Sequence, residues 1–211
     1  MTHANYIRST GWFLAAWFLA AATAAQLGLF GGAPGSPPIQ LLMAVLIPLG
    51  AIALWCILSP SFRGFLLSLD TKNLTILHSW RIAGFVFLVL ASYGILPRDF
   101  ALSAGWGDIA IGATAALVAF RLATPRHRAS FITWQLLGMA DLIVAVTLGA
   151  TTNLLHPQGI PTTPMTVLPM SLIPTFAIPV LLVVHIICIA QAWRWKRSAS
   201  ESNLPLRSSP A

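Results

Sequence analysis

The sequence predicts an all-α fold: a polytopic membrane bundle of six transmembrane helices with both termini on the inner side. Three observations carry that prediction. Of the 211 residues, 8% are charged and 57% hydrophobic, whereas soluble domains carry roughly 25% charged residues. The mean hydropathy is +0.80. The apolar residues also gather into six runs, each long enough at about 1.5 Å per residue to cross a hydrocarbon core of about 30 Å. These figures exclude a disordered chain, a disulfide-stapled secreted module and an ordinary soluble enzyme. They make residues 1–196 a single membrane domain, followed by a disordered inner tail at 197–211.

The runs are rich in alanine, leucine and glycine and lack the period-two alternation of barrel strands. Backbone amides in lipid need partners within their own segment, so the runs are helices. The first spans about Trp12 to Phe30, and Gly31 to Pro38 links it tightly to the second, Ile39 to Leu58. Between Ser59 and Asn73 an amphipathic piece, Phe62 to Leu67, is expected along the membrane interface. The third run is Leu74 to Leu96, and the fourth Phe100 to Leu122, ending at a basic loop, Thr124 to Ser130. The fifth is Phe131 to Ala150. A Pro/Thr-rich loop then leads to the sixth, Leu168 to Trp193.

Lysine and arginine set the orientation. With the N-terminus inside, Arg8, Arg63, Lys72, Arg121, Arg126, Arg128, Arg194, Lys196, Arg197 and Arg207 are all inner, Arg98 alone is outer, and Arg81 lies within a span. That asymmetry is a positive-inside signal. The net charge of +7 therefore marks topology and not a nucleic-acid partner. The N-terminal run also resembles a signal peptide, with Ala22-Thr23-Ala24 as a cleavage site. Its continuation through Leu27 and Phe30 to full span length favours an uncleaved helix.

Cys56 and Cys188 fall inside spans and read as small apolar fillers, with no paired Cys/His spacing for a metal. No phosphate loop, dinucleotide fingerprint, nucleophile elbow or zinc-protease motif is present. The informative residues are the ionisable ones in the spans, each costing roughly 2.5–3.5 kcal/mol at a helix centre. These are His78, Arg81, Asp108, Asp141 and His185. His78 and Arg81 share a helix face, Asp141 is near mid-span and His185 is in the inner half of the last helix. Asp108 falls in the outer half of the fourth. The expected pair is Arg81 with Asp141, because an arginine keeps its charge and needs an anion.

The stretches Gly105 to Thr114 and Gly138 to Thr147 align without gaps as G-x-x-D-[IL]-x-[IV]-x-x-T. Their helices run in opposite directions, the arrangement of an inverted repeat. In the last run Pro164, Pro169, Pro174 and Pro179 recur every five residues. Each removes an amide donor, so Pro169, Pro174, Pro179 and Thr175 are expected to present irregular backbone to an outward-opening pocket. His78 and His185, on different helices, are candidate axial ligands of a b-type haem.

The segments His78-Ser79-Trp80-Arg81-Ile82-Ala83-Gly84, Gly105-Trp106-Gly107-Asp108, Leu137-Gly138-Met139-Ala140-Asp141-Leu142 and Leu168-Pro169 through Phe176 to His185 resemble parts of small, uncharacterised, six-span bacterial inner-membrane proteins. The resemblance covers the last four spans. It implies a bacterial cytoplasmic-membrane location and nothing about catalysis. Three functions fit the residues: a proton-coupled transporter or permease with an Arg/Asp/His centre, a haem- or quinone-linked redox protein, and an accessory subunit. The expected partners are the lipid bilayer and another membrane subunit or a second copy. Enzyme status and substrate are not legible.

Overall fold

The computed structural model describes residues 3–32, 36–156 and 158–201, with side chains through Trp195. The expected tail beyond residue 201, and part of the Gly31 to Pro38 link, lie outside the described residues. The chain is helical throughout, with no strand among the described residues. Helix α1 is His3–Gln26, α2 Ile39–Leu58, α3 Pro60–Ser68 and α4 Thr71–Ile76. The chain continues through a 3-10 helix, Leu77–Gly84, into α5, Phe85–Ser92, so that all three form one rod. Helix α6 is Arg98–Arg121, α7 Arg128–Leu155 and α8 Ile178–Glu201, the last entered through a π-helical turn, Ile173–Ala177.

Five of these stretches are long and apolar enough to cross a membrane: Ile39–Leu58, Thr71–Ser92, Arg98–Arg121, Pro125–Leu155 and Ile173–Trp195. Helix α1 is not among them. Asn5, Arg8, Ser9 and Thr10 occupy its first turns. A C-terminal cap then closes it early, at Gln26 and not Phe30. Gly28 takes φ +69, the Gly28 amide bonds the Ala25 carbonyl (3.0 Å) and the Leu29 amide bonds the Ala24 carbonyl (2.9 Å). This is the paired bonding of a Schellman turn, which needs a residue in the left-handed region.

Local chemistry explains the other boundaries. Ser59 caps α3 by accepting from the Phe62 amide (3.2 Å), and Asp70 caps α4 by accepting from the Asn73 amide (2.7 Å). Helix α7 outruns the expected Ala150 because Thr151 and Thr152 hydroxyls bond back to the carbonyls of Thr147 (2.7 Å) and Leu148 (2.6 Å). These polar residues thereby stay inside the helix. The last span starts at Ile173 and not Leu168, because the Pro164 to Pro169 stretch folds as a 3-10 turn, Thr163–Thr166, followed by irregular turns.

The bundle keeps an apolar core but also exposes many large apolar side chains and buries several polar ones. Arg81 is the largest fully buried side chain, whereas Ile57 and Leu58 of α2 are more than two-thirds exposed. Lipid replaces water as the solvent for such a surface. Helix α3 packs beside the start of α1, the end of α2 and the middle of α8. Phe62, Phe65 and Leu66 pack against Tyr6, Trp55 and Ile187, with Trp55 stacked on Phe62 at 3.9 Å. Its apolar face is covered by protein. The same end of the bundle holds the start of α1 and the 122–128 turn, where Arg128 donates to the Ala192 carbonyl (2.9 Å) and lies over the Trp193 ring.

Candidate functional site

A 3-10 helix has about three residues per turn, so positions three apart fall in one straight row. In Leu77–Gly84 that row is His78, Arg81 and Gly84, all buried, while Leu77, Trp80 and Ile82 face outward. An α-helix would stagger these side chains. The tighter winding aims two ionisable groups and one bare backbone position at the same neighbours, α6, α7 and α8.

Arg81 is held on three sides. Its Nε donates to Asp108 Oδ1 (2.6 Å), an Nη2–H donates to Asp141 Oδ2, and Nη1 donates to the Gly138 carbonyl (3.3 Å). The expected Arg81–Asp141 pair is therefore accompanied by Asp108, on α6. Asp108 was expected in the outer half of its helix, on the outer side of the same polar centre. Close approach of the rods makes the difference. A Cβ on Gly84 would collide with the Asp108 side chain, and one on Gly107 would collide with Asp141. One on Gly112 would strike the Ile82 backbone, 3.0 Å from the Arg81 carbonyl carbon. Gly84, Gly107 and Gly112 are thus clearance for two carboxylates converging on one guanidinium. Asp108 and Asp141, matched in the aligned decapeptides, meet on the same residue.

The two histidines lie one layer away. The His78 and His185 rings stack at 3.9 Å with 21° between their planes, and Trp134 packs edge-on to His78 at 5.8 Å. His185 Nδ1 donates to Gln135 Oε1, leaving Nε2 without a partner. Both nitrogens of His78 are also buried without one. A Cβ on Gly138 would sit 2.7 Å from His185 Nε2 and 3.5 Å from Arg81 Nη1, which places the imidazole and guanidinium side by side over that glycine. The haem expectation fails on this geometry. Axial ligands point their nitrogens at one iron from opposite faces of a macrocycle. Rings stacked in van der Waals contact leave no space for one.

These layers continue along the seam between the Thr71–Ser92 rod and α8. Cys188 packs as the apolar filler expected, in a core cluster with Ile111, Val118 and Phe131, and its Sγ also lies 4.0 Å from Thr75 Oγ1. One turn further, Thr71 Oγ1 donates to Gln191 Oε1 (2.7 Å). Gln191 Nε2 in turn donates to the Leu69 carbonyl (2.8 Å). A row of hydrogen-bonding side chains thus runs from the basic end of the bundle to the ion pair.

On the other side of the ion pair lies a cavity of about 150 Å³. Asp108 forms part of its wall, with Phe87, Phe100 and Leu142 around it, and Asn153, Thr163 and Thr166 among its polar residues. A smaller void of about 50 Å³ touches Arg81 and Asp108 together. Of the expected lining residues, Pro174 reaches the cavity wall. Pro169 is exposed in a turn, and Thr175 and Pro179 are buried in helix packing. Two of the backbone carbonyls freed by proline, before Pro174 and Pro179, are also answered. Trp17 Nε1 of α1 donates to the Thr175 carbonyl (3.0 Å), and the Ile173 amide bonds the Met170 carbonyl (3.1 Å).

Sequence reasoning missed Gln135, Gln191, Thr75 and Trp17. Two of these carried a readable signal, since glutamines within apolar runs are intramembrane polar groups like the charges. Thr75 and Trp17 had none. No group of three or more metal-ligating side chains occurs among the described residues. Residues 36–192 match the model of a family described as a domain of unknown function, DUF8737, and the chain belongs to that family. No curated protein and no solved structure matches it.

Proposed function

We propose that this member of the family is a small proton-coupled transporter, embedded in a bacterial inner membrane by six helices with both termini cytoplasmic. The observation that carries the reading is the charge count at the ion pair. Arg81 faces Asp108 and Asp141 together, so with every group ionised the centre holds one uncompensated negative charge. An unpaired charge away from water is costly. The centre therefore takes up one proton or one cation, and its occupancy alternates if the site opens to each side in turn. The cavity supplies access from one side. The seam of Thr71, Thr75, His78, His185 and Gln191 supplies hydrogen-bonding groups toward the other. The basic residues at the seam's end favour the cytoplasmic side for it. Helix α1 as a sixth span is supported by its course, from Tyr6 packed on Phe65 to Phe30 on the cavity wall.

The test is proton uptake by vesicles containing the full chain and a trapped pH dye, driven by a potassium diffusion potential. Uptake above protein-free vesicles is expected, with Asp141→Asn abolishing it in a protein that still melts cooperatively. Uptake equal to that of protein-free vesicles, or unchanged in the variant, overturns the proposal.

A further inference from the structure

We infer that the cavity beside the ion pair binds a small organic monocation, an alkylammonium, with Asp108 as its counter-ion. This rests on the charge count of the proposed centre and names the solute class it would take. Asp108 spends one carboxylate oxygen on Arg81 Nε, while its second oxygen accepts no hydrogen bond from the chain. The side chain keeps 16% exposure, and the wall it shares is that of the cavity. Among the described residues lining that space, Asp108 is the one ionisable group. An anionic solute would therefore meet only repulsion there, and a neutral one would leave the excess negative charge unanswered.

The rest of the wall selects between kinds of cation. A bare divalent ion demands six or more oxygens in its shell, several of them carboxylate, and beside the one free carboxylate oxygen of Asp108 this wall offers only scattered amide and hydroxyl groups such as Asn153 and Thr163. An alkylammonium needs a single anion, apolar surface for its carbon atoms and aromatic faces for its charge. Phe87 and Phe100 are mutually edge-on at 5.7 Å and both line the cavity, as do Leu142 and Ala145. The polar residues Asn153 and Thr163 offer acceptors for any ammonium hydrogens that Asp108 does not take.

Calorimetric titration of the purified full chain in detergent tests this with ethylammonium and tetramethylammonium as probes, and tert-butanol and acetate as neutral and anionic controls. Saturable binding of at least one cation is expected, with neither control binding measurably. Asp108→Asn should weaken it at least tenfold. Because that variant also disturbs the ion pair, Ala150→Leu serves as a second. It fills the cavity from a partly exposed wall position, leaves Asp108 and Arg81 in place, and should weaken binding similarly. Binding of tert-butanol as tight as that of tetramethylammonium, cation binding unaffected by both variants, or no cation binding at all overturns the inference. Binding here is read without a proton gradient, so a failure of proton uptake and a failure of cation binding are separately visible.

Discussion

Replacing Arg81 with methionine keeps most of the side chain's volume and removes its charge and all three of its hydrogen-bonded contacts, to Asp108, Asp141 and the Gly138 carbonyl. The two aspartates then remain as partly buried acceptors with no donor between them. Removing one partner from a buried ion pair costs about 3–5 kcal/mol. At about 2–4 °C per kcal/mol for a chain of this size, the melting temperature should fall by about 6–20 °C. The same reasoning makes a second, opposite forecast. Combining Arg81→Met with Asp108→Asn and Asp141→Asn removes the stranded charges, and neutral replacements of buried ion clusters are often tolerated. The triple variant should recover most of the lost stability while losing proton uptake. Thermal unfolding in detergent, followed by tryptophan fluorescence, reads both. An unchanged melting temperature in Arg81→Met, or a triple variant no more stable than the single one, would refute the account of a centre held by mutual charge compensation.

Two further outcomes follow from packing. Gly112→Ala drives a methyl into the Ile82 backbone, a rigid neighbour, and should cost about 1–3 kcal/mol as overpacking. Gly50→Ala in α2 meets nothing within 4 Å and should be neutral or stabilising by up to about 1 kcal/mol, so comparing the two melting curves isolates the close approach. Trp17→Phe keeps the ring against Phe176 but removes the donor to the Thr175 carbonyl. Leaving that buried acceptor unpaired should cost about 1–3 kcal/mol, and an unchanged unfolding midpoint would count against Trp17 as the partner of the π-turn.

Composition and the length of the apolar runs determined by themselves that this is an all-helical chain with segments long and apolar enough to cross a membrane. Both are set locally: each span satisfies its own backbone, and its side chains need only be apolar. The five residues worth watching were legible for the same reason, because an ionisable side chain in an apolar run is conspicuous wherever it ends up. The Arg81–Asp141 pair was legible too, because an arginine needs an anion, but the convergence of Asp108 on the same guanidinium was not. Depth counted along a straight α-helix put Asp108 apart from Arg81, and depth alone says nothing of rotation about the helix axis. Only the tertiary structure brought the two together. It did so through the 3-10 winding that sets His78, Arg81 and Gly84 in one row, and through glycines whose missing side chains let α6 close on that row. The histidines show the same limit. Their similar depth invited a metal between them, and the approach of α8 to Leu77–Gly84 instead pressed the rings together. Even one of the carbonyls freed by proline, that of Thr175, was settled from outside its own helix, by a tryptophan 158 positions away. A span's existence is a property of its own residues. A site among spans depends on how closely several rods pack, which is fixed where backbones touch.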